Sequence, residues 1–120
     1  MGELRKLQKA VHELAVEKGW YEGTPKADDP TWLGARLALV HSEVSEALEC
    51  VRRGQMTRTY QSWPEAVGPT KPEGLPTELA DVVIRVLDLC ESLGIDLELE
   101  IVCKHAFNRT RPARHGGKKL

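Results

Sequence analysis

Apolar residues recur at helical spacing in four stretches of this 120-residue chain, and each stretch ends at a glycine or just short of a proline. That pattern restricts the fold to packed helices, because strand-like alternation nowhere competes with it. The first helix is expected from about Glu3 to Lys18, with Leu4, Leu7, Val11, Leu14 and Ala15 as its apolar face and Gly19 as its stop. The segment WYEGTPKADDP is rich in turn formers and reads as a loop. Asp29 then caps a second helix that has Pro30 at its start and runs to Arg53 before Gly54. Its expected core stripe is Leu33, Leu37, Val40, Val44, Ala47, Leu48 and Val51. A third helix resumes near Leu75, with Pro76 early, core positions Leu79, Val82, Val83, Val86, Leu87 and Cys90, and a stop at Gly94. Asp96 caps a fourth, from Leu97 to Thr110, closed by Pro112.

The expected fold class is therefore all-α: four main helices in one domain spanning residues 1–120, with a long loop at about 54–74 and a basic tail at about 112–120. A chain of this size is near the limit at which one core suffices, so completion of the bundle by oligomerisation is expected. Aromatics are scarce, at 5%, so the core must be built from Leu, Val, Ile and Ala. Cys50, Cys90 and Cys103 have no CxxC spacing and are odd in number; they read as buried apolar residues in a reducing compartment. No apolar run reaches membrane-spanning length and the N-terminus is not signal-like, so a cytoplasmic protein with no membrane partner is expected. A formal net charge of −1 argues against a polyelectrolyte binder, and no nucleic-acid partner is expected.

Two acidic pairs stand out. Glu43 and Glu46 lie on the second helix, Glu78 and Asp81 on the third, and a spacing of three puts each pair on one side of its helix. Helical projection places Glu43 on the flank of the apolar stripe and Glu46 further round, neither in the core. If the two helices pack, four carboxylates converge, and their repulsion calls for a hard divalent cation with oxygen ligands. His41, beside the first pair, reads as a structural histidine, since such a site prefers oxygen. On the fourth helix, Lys104, Asn108 and Arg111 recur at spacings of four and three, offering two cations and an amide to an anion. A solvated basic helix end interacting with its own dipole would look the same.

The order ExxE, ExxD, then K-x3-N-x2-R, carried by SEVSEALE, ELADVVIRVLDL and KHAFNRTRP, resembles the MazG-type all-α nucleoside triphosphate pyrophosphohydrolases over most of the chain. That resemblance implies Mg²⁺, or Mn²⁺ in its place, held by Glu43, Glu46, Glu78 and Asp81 as the catalytic and metal-binding set. It implies phosphate or sugar contacts from Lys104, Asn108 and Arg111. It also implies a nucleoside triphosphate substrate split by water into monophosphate and pyrophosphate, and a homodimer or homotetramer. His12 and Trp20 match a His and Trp that bracket the base in dCTP-hydrolysing relatives; Trp20 can stack on a base or simply cover the end of the first helix. Trp32 reads as a packing residue, Trp63 as a lid aromatic or interface anchor, and His115 with Gly116 and Gly117 as a segment able to approach phosphate.

The chain departs from the family at two points. Many members carry a Glu where this chain has Ser42, which leaves the water-activating base to metal-bound hydroxide or to another carboxylate such as Glu49. The spacing between the acidic pairs is also longer than usual. The competing reading is a non-catalytic helical oligomer that uses its acidic cluster and basic tail for assembly or nucleic-acid contact; within the enzyme class the rival is a phosphoribosyl-ATP pyrophosphohydrolase.

Overall fold

A computed structural model of the chain describes residues 1–23, 28–61 and 70–120. The elements, in order, are α1 (Glu3–Glu17), α2 (Pro30–Arg52), β1 (Thr59–Gln61), β2 (Lys71–Glu73), α3 (Leu75–Ser92), α4 (Leu97–Thr110) and a short turn of helix α5 (Arg114–Gly117). The all-α expectation holds, with one addition. The expected loop at 54–74 contains a small antiparallel ladder pairing Thr59 with Glu73 and Gln61 with Lys71. Three-residue strands are too short to leave a periodic signal. Trp63 lies outside the described residues. Within the expected basic tail, Arg114 and His115 take left-handed backbone conformations in α5.

Local signals act where they were expected. Asp29 Oδ1 accepts a hydrogen bond from Thr31 N (2.9 Å) to start α2, and Asp96 Oδ1 accepts one from Leu99 N (3.1 Å) to start α4. One device ends three helices: Gly19, Gly54 and Gly94 take positive φ, and the next amide bonds back five residues. Trp20 N thus reaches Ala15 O, Gln55 N reaches Cys50 O and Ile95 N reaches Cys90 O. This pairs carbonyls that a helix end would otherwise leave unsatisfied. Gly74, with φ at 104°, precedes α3 where any Cβ would collide with the Thr57 carbonyl oxygen.

The α3 helix is the central strut, packed against α2 on one side and α1 on the other. Its Leu87 is fully buried, and Ala47, Cys50 and Cys90 complete the buried apolar set among the described residues. The α1–α3 seam, by contrast, is polar. Gln8 is completely buried, donating from Nε2 to Glu91 Oε2 (2.7 Å) and Ile95 O (2.8 Å) and accepting from Leu97 N at Oε1 (3.3 Å). Arg5 joins the same Glu91 oxygen at 2.9 Å, and the α4 residue Glu98 accepts the first free amide of α1, Leu4 N, at 3.2 Å. One amide side chain therefore fastens α1 to the α3–α4 joint.

Several expected core residues are not covered within one chain. Leu7 and Leu14 on α1, Leu37, Val44, Leu48 and Val51 on α2, and Leu79 and Val83 on α3 are all exposed. Periodicity marks an apolar face, but not whether this chain supplies its cover. Cys103 is exposed too, contrary to expectation, because α4 is exposed along most of its length.

Replacing Leu87 with Ala should cost about 2–5 kcal/mol, the range for a buried leucine whose cavity does not collapse. Gln8→Leu should cost about 1–3 kcal/mol by stranding the Leu97 amide and leaving the Ile95 carbonyl only the 3.4 Å bond from Arg5. Urea unfolding measures both; only Gln8→Leu should also speed hydrogen exchange at the Leu97 amide.

Candidate metal centre

Glu43, Ala47 and Cys50 fall on one line of α2, four and three residues apart, and that line faces α3. Glu43 is consequently buried, at 9% exposure, rather than flanking the core as projection onto the apolar stripe suggested. The stripe averages two surfaces: the line that meets α3, and Leu37–Val44–Leu48–Val51, about a quarter turn away. Glu46 is exposed, one step round from Glu43.

The start of α3 brings Glu78 opposite this pair. One oxygen from each of Glu43, Glu46 and Glu78 lies within 4.8 Å of the others. Glu78 Oε2 is buried with no hydrogen-bond partner among the described residues. Burial first, then the hydrogen bond and charge of Glu46, then the charges of Asp81 and Glu43, hold the Glu78 carboxyl above the ordinary carboxylate range. Burial, then Glu43 and Glu46, pushes Asp81 up as well, opposed by the charges of Arg85 and Lys71. Asp81 is not one of the three converging residues; it borders the adjoining cleft with Glu43. Three of the four expected ligands meet, and the fourth stands beside them.

A cleft of about 390 Å³ opens next to the carboxylates. Val11, Leu14, Ala15 and Ile84 give it an apolar floor, Trp20 one wall, and Lys18, Arg36, Arg85 and Asp88 polar edges. Its size suits a small organic ligand, for which an apolar pocket with a few convergent polar groups is the usual design. Trp20 is 64% exposed and so presents a ring rather than filling a core. His12 does not line the cleft. It holds Asp88, which does: the distance from Nδ1 to Oδ1 is 2.8 Å, and an ionised carboxylate can only accept, so Nδ1 carries the proton. Tyr21 packs edge-on to His12 with ring centroids 4.8 Å apart, and burial, then Asp88, pushes its hydroxyl up to about 12. Trp32 is a packing residue, as expected: Arg36 lies 5.1 Å from its ring and 5.0 Å from that of Tyr21. The Arg36 guanidinium also donates to Trp20 O (3.1 Å).

Lys104, Asn108 and Arg111 are not brought to the acidic cluster within one chain. The turn after Gly94 sends α4 back onto α1, and none of the three lines the cleft. Lys104 and Arg111 instead rest on the Phe107 ring, 4.9 and 5.8 Å from its centre. Glu49, the carboxylate expected as an alternative for activating water, is paired with Arg53 (3.3 Å) and Arg52 (3.8 Å) on α2, and Ser42 Oγ donates to Leu39 O (2.7 Å).

Arg85, Arg36 and Asp88 carried no motif. Arg85 and Asp88 left a trace in spacing, since Glu78, Asp81, Arg85 and Asp88 follow one another three, four and three residues apart along one side of α3; Arg36 on α2 left none. No protein-family model, curated protein or solved structure matches the chain.

The residues present fit a hard divalent cation: three convergent carboxylates, one with an orphaned buried oxygen. Without the ion, Glu78 and Asp81 bind protons more tightly folded than unfolded. Stability should then fall as pH rises from the ordinary carboxylate pKa through their raised values, and the penalty is complete above that window. Mg²⁺ should therefore raise the melting temperature more at neutral pH than in acid, and Glu78→Gln should abolish most of that difference. Thermal melts across pH, with Mg²⁺ or with chelator, measure it; a Mg²⁺ shift independent of pH would contradict the assignment.

Proposed function

We propose that the chain is a divalent-metal-dependent nucleoside triphosphate pyrophosphohydrolase of the MazG type, working as a homo-oligomer on the cytoplasmic nucleotide pool. The observation that carries this reading is the meeting of Glu43, Glu46 and Glu78 beside a cleft edged by Asp81 and three cationic side chains. Carboxylates at one end, cations along the edge and an exposed indole suit a molecule with an anionic chain and a flat heterocycle.

When bound, Mg²⁺ or Mn²⁺ supplies charge neutralisation and Lewis acidity at the triphosphate. Glu43, Glu46 and Glu78 would hold the ion. Lys18, Arg36 and Arg85 attract the anionic chain into the cleft, and Trp20 stacks on the base, which His12 supports at one remove through Asp88. Water attacks a phosphorus, and the bond to the pyrophosphate leaving group breaks. Asp81 is the carboxylate left to take the proton of that water, because it borders the cleft outside the converging trio and because Glu49 is otherwise engaged.

A second copy completes the assembly in this reading. The uncovered stripe Leu37–Val44–Leu48–Val51 is apolar surface that a homodimer or homotetramer would bury. The basic face of α4, isolated in one chain, would then deliver Lys104, Asn108 and Arg111 to the partner's acidic cluster.

Release of phosphate from a panel of nucleoside triphosphates, with Mg²⁺ and inorganic pyrophosphatase, tests the activity; no turnover with any nucleotide leaves the helical-oligomer reading in its place. Glu46→Gln should lose both Mn²⁺ binding and turnover. Asp81→Asn should keep Mn²⁺ and lose about 10²–10⁴-fold in rate, the usual contribution of a general base. Both should retain helical circular dichroism. If the site is shared between subunits, mixing inactive Glu46→Gln with inactive Lys104→Ala should restore partial activity, and neither variant alone should have any.

A further inference from the structure

Arg85 stands one helical turn beyond Asp81 on α3, and its Nε donates to Glu43 Oε1 across the α2–α3 seam at 2.6 Å. Glu43 is thus claimed twice: by the guanidinium on one side, and by its place among three converging carboxylates on the other. The Glu43 side chain is 12% exposed and that of Arg85 34%, so the pair sits at the inner edge of the cleft where water screens it weakly. A guanidinium carries five N–H donors in a planar fork, of which Nε–H is used here. The terminal nitrogens of Arg85 donate no hydrogen bond to the described residues, and the side chain lines the cleft.

A divalent ion seated on the three carboxylates would face that guanidinium at close range, and both cations would compete for the same Glu43 charge. We propose that Arg85 is a positioning residue that serves as the counter-ion of Glu43 when no metal is present, is displaced from it by the arriving metal, and then turns its fork into the cleft to grip a phosphate of the substrate. The proposal rests on the metal-dependent triphosphate reading above. It adds an order of events: metal first, then Arg85, then the phosphate chain. Displacement suits arginine chemically, because the planar fork that here binds one carboxylate oxygen through Nε alone can bind phosphate through two parallel N–H donors. A bridge that merely locked α2 to α3 would gain little, since apolar residues of similar volume stabilise such seams at least as well.

The two roles separate by the sign of their effects. In the full chain, Arg85→Ala and the stem-preserving Arg85→Gln should bind Mn²⁺ alone about tenfold more tightly, because a competing cation has been removed. The same variants should bind inorganic tripolyphosphate in saturating Mn²⁺ about tenfold more weakly, because a charge-assisted pair has been lost. Calorimetry reads both without depending on turnover or on the identity of the base. A purely structural bridge predicts that both affinities fall together or stay put, and either result overturns the proposal. In the unmodified protein, the ¹⁵Nε–H resonance of Arg85 should move from a carboxylate-bonded to a solvent-like position as Mg²⁺ saturates the site. Mg²⁺ that binds while this resonance stays fixed defeats the proposal alone; a chain that binds neither Mg²⁺ nor Mn²⁺ defeats the metal reading with it.

Discussion

Glu43, Glu46 and Glu78 repel one another, and the contacts that hold α2 against α3 work against that repulsion. Ala47 and Cys50 on α2, with Leu87 and Cys90 on α3, supply the few buried apolar groups among the described residues. Arg85 supplies the one opposing charge bonded to the trio among the described residues. Keeping like charges within a few ångströms costs stability that a bound cation would return. Burial first, and this crowding second, raise the proton affinities of Glu78 and Asp81.

The opposite seam is built on another principle. Between α1 and α3 the side chains that meet are Arg5, Gln8 and His12 against Glu91, the Ile95 carbonyl and Asp88. Hydrogen bonds are directional where apolar contact is not, so this seam sets the rotation and register of α1 closely. That setting places Val11, Leu14, Ala15 and Lys18 along the cleft and carries Trp20 to its mouth. One face of α3 is therefore electrostatically tense and the other electrostatically satisfied, and the cleft lies between them.

How much of this was legible beforehand depended on whether the cause was local. Asp29, Asp96, Gly19, Gly54 and Gly94 act through their own few residues, and each lies where its chemistry demanded. The acidic pairs were legible as pairs, because a spacing of three is a property of the helix. The burial of Glu43 was not, since it depends on which line of α2 meets α3, and the apolar stripe pointed a quarter turn away. Gln8 and Arg85 were silent because their partners lie over 80 and over 40 residues distant. The position of α4 was likewise hidden, being decided by the polar latch at Ile95 and Leu97 and not by any feature of KHAFNRT.

The chain between the acidic pairs bears on how spacing should be read. Gln55 donates to Cys50 O at the end of α2, and its own carbonyl accepts from Leu75 N at the start of α3 (2.9 Å). The β1–β2 ladder closes the excursion again a few residues further out. The two acidic helices are in effect spliced at Gln55, so residues between the strands can grow or shrink in number without changing where Glu78 meets Glu43. Linker length then ceases to be a mark of kinship or of difference. It becomes a free variable, a place where a chain of this architecture can accept an inserted peptide or a reporter while its carboxylates keep their places.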